Sequence, residues 1–74
     1  MEEQKIKQDN IRKIRQQQEI GQTELVRLLQ LEGVEMTRET LVKIERGTQH
    51  IRASQLRGIR DALHTTYDAL LAEE

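Results

Sequence analysis

QTELVRLLQLEGVEMTRETLVKIERG, residues 22–47, is the stretch that decides how this chain folds. Leu25, Val26, Leu28, Leu29 and Leu31 follow one another at helical spacing, and the pattern stops at Gly33, where a left-handed turn can close a helix. After the spacer Val34–Met36, Thr37 offers a hydroxyl to the unpaired amides of a new helix, and Glu39 faces the positive end of its dipole. Only Leu41 and Ile44 point inward from this third helix, so it is short and amphipathic, with Arg38, Lys43 and Arg46 on its other faces. Gly47 ends it.

Working outward, Ile11 and Ile14 mark a first helix from Gln8 to Gln18, and the glutamines Gln16, Gln17 and Gln18 read as its exposed face. Ile20 and Gly21 break the pattern before helix two. Beyond Gly47, residues 48–52 form a polar loop anchored by Ile51. Ala53, Leu56, Ile59, Ala62 and Leu63 predict a fourth helix with His64 at its cap site, and Thr66 opens a fifth that holds Tyr67, Leu70 and Leu71. The expected architecture is all-α: five helices in one domain over 1–74, with 1–5 and 73–74 as frayed tails and neither linker nor internal repeat.

Composition agrees with that reading. The chain has 74 residues, too few for two cores or a large enzyme, and its apolar 35% is almost all Ile, Leu, Val and Ala, with Tyr67 as the sole aromatic. There is no Pro, and Gly21, Gly33, Gly47 and Gly58 are spread out, as suits helices separated by short turns. Absence of Cys excludes disulfide scaffolds and thiolate metal sites. No apolar run approaches a membrane span and the start is charged, so a cytoplasmic protein is expected.

The formal net charge of −1 hides an uneven distribution. All twelve Lys and Arg lie within residues 4–60, against seven Asp and Glu there, a surplus of five positive charges. Phosphates respond to such a local patch, although helical surfaces also carry these charges for solubility.

Enzymatic chemistry finds no footing. His50 and His64 are the only histidines, fourteen positions apart, too sparse for a closed metal site. Asp61 and His64 stand three apart and could touch across a helix end, but no nucleophile accompanies them, and no glycine-rich phosphate loop is present. The expectation is therefore no catalysis, no cofactor and no metal.

Four motifs in order carry a resemblance: IRKIR at 11–15, QTEL at 22–25, IERG at 44–47, and Ala62-Leu63 followed by DALL at 68–71. Together they resemble the lambda-repressor and Cro type of helix-turn-helix domain over roughly residues 6–72. The resemblance implies a compact five-helix bundle in which helices two and three form the helix-turn-helix, with helix three in the major groove of double-stranded DNA. It implies base contacts from Arg38, Glu39 and Lys43, and phosphate contacts from Gln22, Thr37, Arg46 and either His50 or Arg52 in the following loop. It also implies a structural salt bridge between Arg15 and Glu45, with Arg12 as a competing partner. Several positions depart from the family pattern. The segment from Gln22 to Glu45 is about five residues longer than the usual spacing, Val26 and Arg60 stand where Ala is common, and Ile51 where Pro is frequent.

The expected function is that of a small DNA-binding transcriptional regulator, a repressor acting by occupancy. One such domain makes few base contacts, so a homodimer on two half-sites is expected, one that the DNA itself can assemble, with Leu70 and Leu71 at the dimer surface. The alternative is a protein-interaction module of the same fold, an antitoxin, anti-repressor or accessory subunit with a protein partner.

Overall fold

The computed structural model describes residues 9–72. The expected tails at 1–5 and 73–74, the helix start at Gln8 and the first residues of the family resemblance lie outside that range. Five helices follow one another: α1 (Asp9–Gln17), α2 (Gln22–Leu31), α3 (Arg38–Arg46), α4 (Ala53–Ala62) and α5 (Tyr67–Leu71). No strand occurs among the described residues.

The first four helices end in the same way. In each, a left-handed residue follows the last turn, and the next amide donates back to a carbonyl five positions earlier, satisfying an otherwise orphaned acceptor. Ile20 N–H donates to the Arg15 carbonyl, Val34 to Leu29, Thr48 to Lys43 and Thr65 to Arg60, at 2.9–3.0 Å. Gly33 (φ +84°) and Gly47 (φ +83°) fill the left-handed position as the sequence predicts. Glu19 (φ +60°) and His64 (φ +52°) fill the other two, at the steric cost that a Cβ imposes there. His64 accordingly lies one residue past the α4 cap itself, which is Leu63.

Helices α3 and α5 start on a capping hydroxyl, whereas α2 starts at Gly21 and α4 at Arg52. Thr37 accepts the Thr40 N–H at 3.1 Å and Thr66 accepts the Ala69 N–H at 3.1 Å, each holding one of the first-turn amides.

The core is aliphatic and draws on every helix: Ile11 from α1, Leu25, Val26 and Leu29 from α2, Leu41 and Ile44 from α3, Ile59 and Ala62 from α4, Leu70 from α5. Helix α2 packs on both α3 and α4, and α1 packs on α3 and α5. Ile14, Leu28, Ile51 and Leu56 are half-buried against this core.

Several expectations about side chains are corrected. Leu31 is 76% exposed: two positions after Leu29, it projects from the opposite side of α2 and does not join the inward stripe. Ala53 is exposed at the first position of α4, and the buried residue of that turn is Gln55, whose Oε1 accepts the Arg52 N–H at 2.9 Å. Gly58 separates no helices. It sits inside α4, where a Cβ would stand 2.8 Å from Val34 Cγ2 and 3.1 Å from Leu29 Cδ2, so its missing side chain lets the segment after α2 lie directly on α4. Gln18, read as part of a solvated face, donates to the Leu63 carbonyl at 2.6 Å.

The spacer 32–37 is likewise pinned. Met36 is buried, its carbonyl accepts from Gln30 Nε2 at 2.9 Å, and Val34 packs against the core. These contacts fix the start of α3 relative to α2. No helix among the described residues is long and apolar enough to cross a membrane.

Candidate nucleic-acid interface

Helix α3 owes its placement to a polar clasp at its inner edge. Arg15 on α1 is 6% exposed, and its guanidinium meets the Glu45 carboxylate with two parallel hydrogen bonds, Nε to Oε2 and Nη2 to Oε1, both 3.0 Å. The remaining arm, Nη1, donates to the Ile20 carbonyl at 3.0 Å, tying the α1–α2 link into the same unit. Gln22, the first residue of α2, donates Nε2 to Glu45 Oε1 at 3.0 Å. One carboxylate therefore gathers α1, α2 and α3. Among the described residues no buried side-chain nitrogen or oxygen lacks a partner, which is the condition under which a buried ion pair is tolerated. Arg12 is exposed on the outer side of α1 and takes no part in the clasp.

With Leu41, Ile44 and Glu45 turned inward, the outer face of α3 is left to polar side chains. Arg38, Glu39, Lys43 and Arg46 are all exposed, and Val42 is half-buried among them. At 3.6 residues per turn, Glu39 and Arg46, seven positions apart, share the midline opposite the buried residues, while Arg38 and Lys43 lie to either side. Lys43 Nζ stands 4.0 Å from Glu39 Oε2, a loose pair whose two side chains are 52% and 80% exposed. No other element of the described chain covers this face.

The remaining residues expected to touch a ligand are less uniform. His50 and Arg52 are exposed in the loop after α3, and Arg52 stands at the α4 N-cap through its backbone. Thr37 is exposed but occupied: its hydroxyl caps α3 and donates its own proton to Thr40 Oγ1 at 2.9 Å. Gln22 is half-buried, and its amide is engaged by Glu45, so any phosphate it met would be met by its remaining N–H and the start of α2. Sequence reasoning overlooked this tie, because residues 22 and 45 share no local pattern. It also overlooked Thr40, although the three-residue interval from Thr37 could have suggested the hydroxyl pair.

Elsewhere, Asp61 and His64 meet through the backbone at the end of α4, where the His64 N–H donates to the Asp61 carbonyl at 3.2 Å, a cap contact. The Asp61 carboxylate binds Arg60 at 2.8 Å, and that guanidinium lies over the Tyr67 ring, 4.6 Å from its centre, a stack that joins α4 to α5. The hydrogen bond that Arg60 donates to the Asp61 carboxylate, with a smaller contribution from Tyr67, raises the Arg60 pKa above its ordinary value. Leu70 is 2% exposed and belongs to the core, so the large apolar side chains that α5 exposes are Tyr67 and Leu71, at 39% and 44% exposure. Among the described residues there is no group of three or more His, Asp or Glu that could hold a metal ion.

Comparison with known protein families, with curated proteins and with solved structures gave no match for this chain.

Proposed function

We propose that this protein is a sequence-specific binder of double-stranded DNA, a small transcriptional regulator of the lambda-repressor and Cro type, with α2 and α3 as its helix-turn-helix. The observation that carries this reading is the outer face of α3: a short helix fixed by buried contacts on one side and presenting Arg38, Glu39, Lys43 and Arg46, uncovered, on the other. A rod of that length fits the major groove, and its arginine and lysine are suited to guanine O6 and N7. Phosphate contacts from Arg46, His50, Arg52 and the start of α2 would set the register. Regulation by occupancy as a repressor, with a two-fold dimer on half-sites about one helical turn apart, is the mode such a module supports.

Selection from random duplexes followed by salt titration tests the proposal. Affinity for the selected site is expected to fall on the order of tenfold or more between low and physiological salt. Arg38→Ala or Lys43→Ala should cost about 1–3 kcal/mol at particular base pairs, whereas Arg46→Ala should weaken all duplexes alike. Binding left intact by all three substitutions would remove α3 from the role of reader.

One observation favours a second reading. Leu31, Tyr67 and Leu71 are exposed apolar side chains outside the α3 face, which fits a module whose main partner is a protein. In that case, recovered partners would bind with little dependence on salt, and selection would return no duplex site.

A further inference from the structure

Glu39 sits at an unexpected place for a surface built to meet phosphates. It occupies the midline of the exposed face, between Arg38 and Lys43, and its carboxylate is 80% exposed. The clasp does not use it, since the carboxylate that accepts from Arg15 and Gln22 is that of Glu45. It caps no helix, because Thr37 does that for α3. Its one close partner among the described residues is Lys43, at 4.0 Å, a solvent-screened pair that leaves the carboxylate exposed. Whatever approaches the middle of this face meets an exposed carboxylate flanked by cations.

Resting on the DNA-binding reading above, we propose that Glu39 is the discriminating residue of this face: it weakens binding to duplexes in general and is compensated only where a cytosine amino group stands opposite it. In a major groove lined by base acceptors and bordered by phosphates, an uncompensated carboxylate is repelled. Cytosine offers N4–H2, a donor with no acceptor nitrogen beside it in the groove. Adenine also offers an amino group, but its N7 lone pair lies next to that group and faces the second carboxylate oxygen. The guanine paired with that cytosine presents O6 and N7, which suits the cations flanking Glu39. Specificity at this position then comes from a cost imposed on wrong sites, and the preferred site contains a C·G pair read jointly by an acid and a base.

The test measures fluorescence-anisotropy affinities of the full chain and of Glu39→Gln and Glu39→Asp for the selected duplex, for that duplex with the relevant C·G pair changed to T·A, and for a scrambled duplex. Glu39→Gln should bind the scrambled duplex about three- to tenfold more tightly than the parent and should lose most of the parent's preference for C·G over T·A. Glu39→Asp keeps the charge but shortens the reach, so it should bind the scrambled duplex as the parent does and bind the selected one more weakly. Melting curves of all three proteins check that the fold is retained. A merely helix-stabilising role would lower the melting temperature of Glu39→Gln without raising scrambled-duplex affinity, and that result would overturn the proposal. If the parent selects a site but Glu39→Gln binds every duplex as the parent does, the inference fails while the DNA-binding reading stands. If the parent binds no duplex, both fall.

Discussion

Two regions hold α3 and its approach in place, and they do so by opposite chemistry. At the inner edge of α3, Arg15, Glu45 and Gln22 form a buried polar clasp; at the far end of α2, Val34 and Leu29 press on α4 where Gly58 has no side chain. The clasp works by satisfying every donor and acceptor, so its failure leaves a charge stranded away from water. The seam works by fitting volumes, so its failure is a matter of a methyl group too many. Both confine the same helix, but the penalty for error should be much larger in the clasp.

Removing one member of the ion pair should do the most damage. Arg15→Ala or Glu45→Ala should each lower unfolding free energy by about 3–5 kcal/mol in urea titrations, whereas Arg15→Met combined with Glu45→Leu should cost far less than the sum of the single changes. Additive losses would show that the two groups do not act as a unit. At the seam, Gly58→Ala places a Cβ against Val34 and Leu29, an overpacking cost of about 1–3 kcal/mol that is partly offset by the roughly 1 kcal/mol gain in helix propensity. A net loss near 1 kcal/mol is expected, and Val34→Ala in the Gly58→Ala background should reduce it. Gln22→Ala sharpens the comparison from its weaker side. Glu45 Oε1 keeps its bond from Arg15 Nη2 after that change, so thermal melting should register a loss of only about 1 kcal/mol.

The comparison also explains what could be read from the sequence. Helix ends were legible because their chemistry is local: Thr37 and Thr66 cap three residues ahead, and Gly33 and Gly47 supply the left-handed turns. The composition of α3's exposed face was legible for the same reason, since periodicity alone separates Leu41 and Ile44 from Arg38, Glu39, Lys43 and Arg46. Contacts between distant segments were mostly not: the Arg15–Glu45 bridge is expected only through the family resemblance. Gly58 looks like another separator until Val34 is placed beside it, and Gln18 looks solvated until the Leu63 carbonyl is brought within reach. Leu31 shows a different failure, in which residue type was followed although its angular position pointed away from the core. Leu70 and Leu71 are both expected at a dimer surface, but adjacent residues on a helix face different directions, and of the two only Leu71 is exposed.

One contact at the edge of the bundle bears on how the chain can be rebuilt. Asn10 donates its amide to the carbonyls of Leu70 and Ala72, at 3.1 and 2.7 Å, so the first turn of α1 and the last residue of the described body are stapled together. A chain whose described ends, near residues 10 and 72, are rejoined across that staple by a short linker and which is reopened at the exposed residues 49–50, ahead of the packed Ile51, should keep every helix and the same hydrophobic interior, because circular permutation asks only that the joined positions be neighbours and the new ends be free of packing.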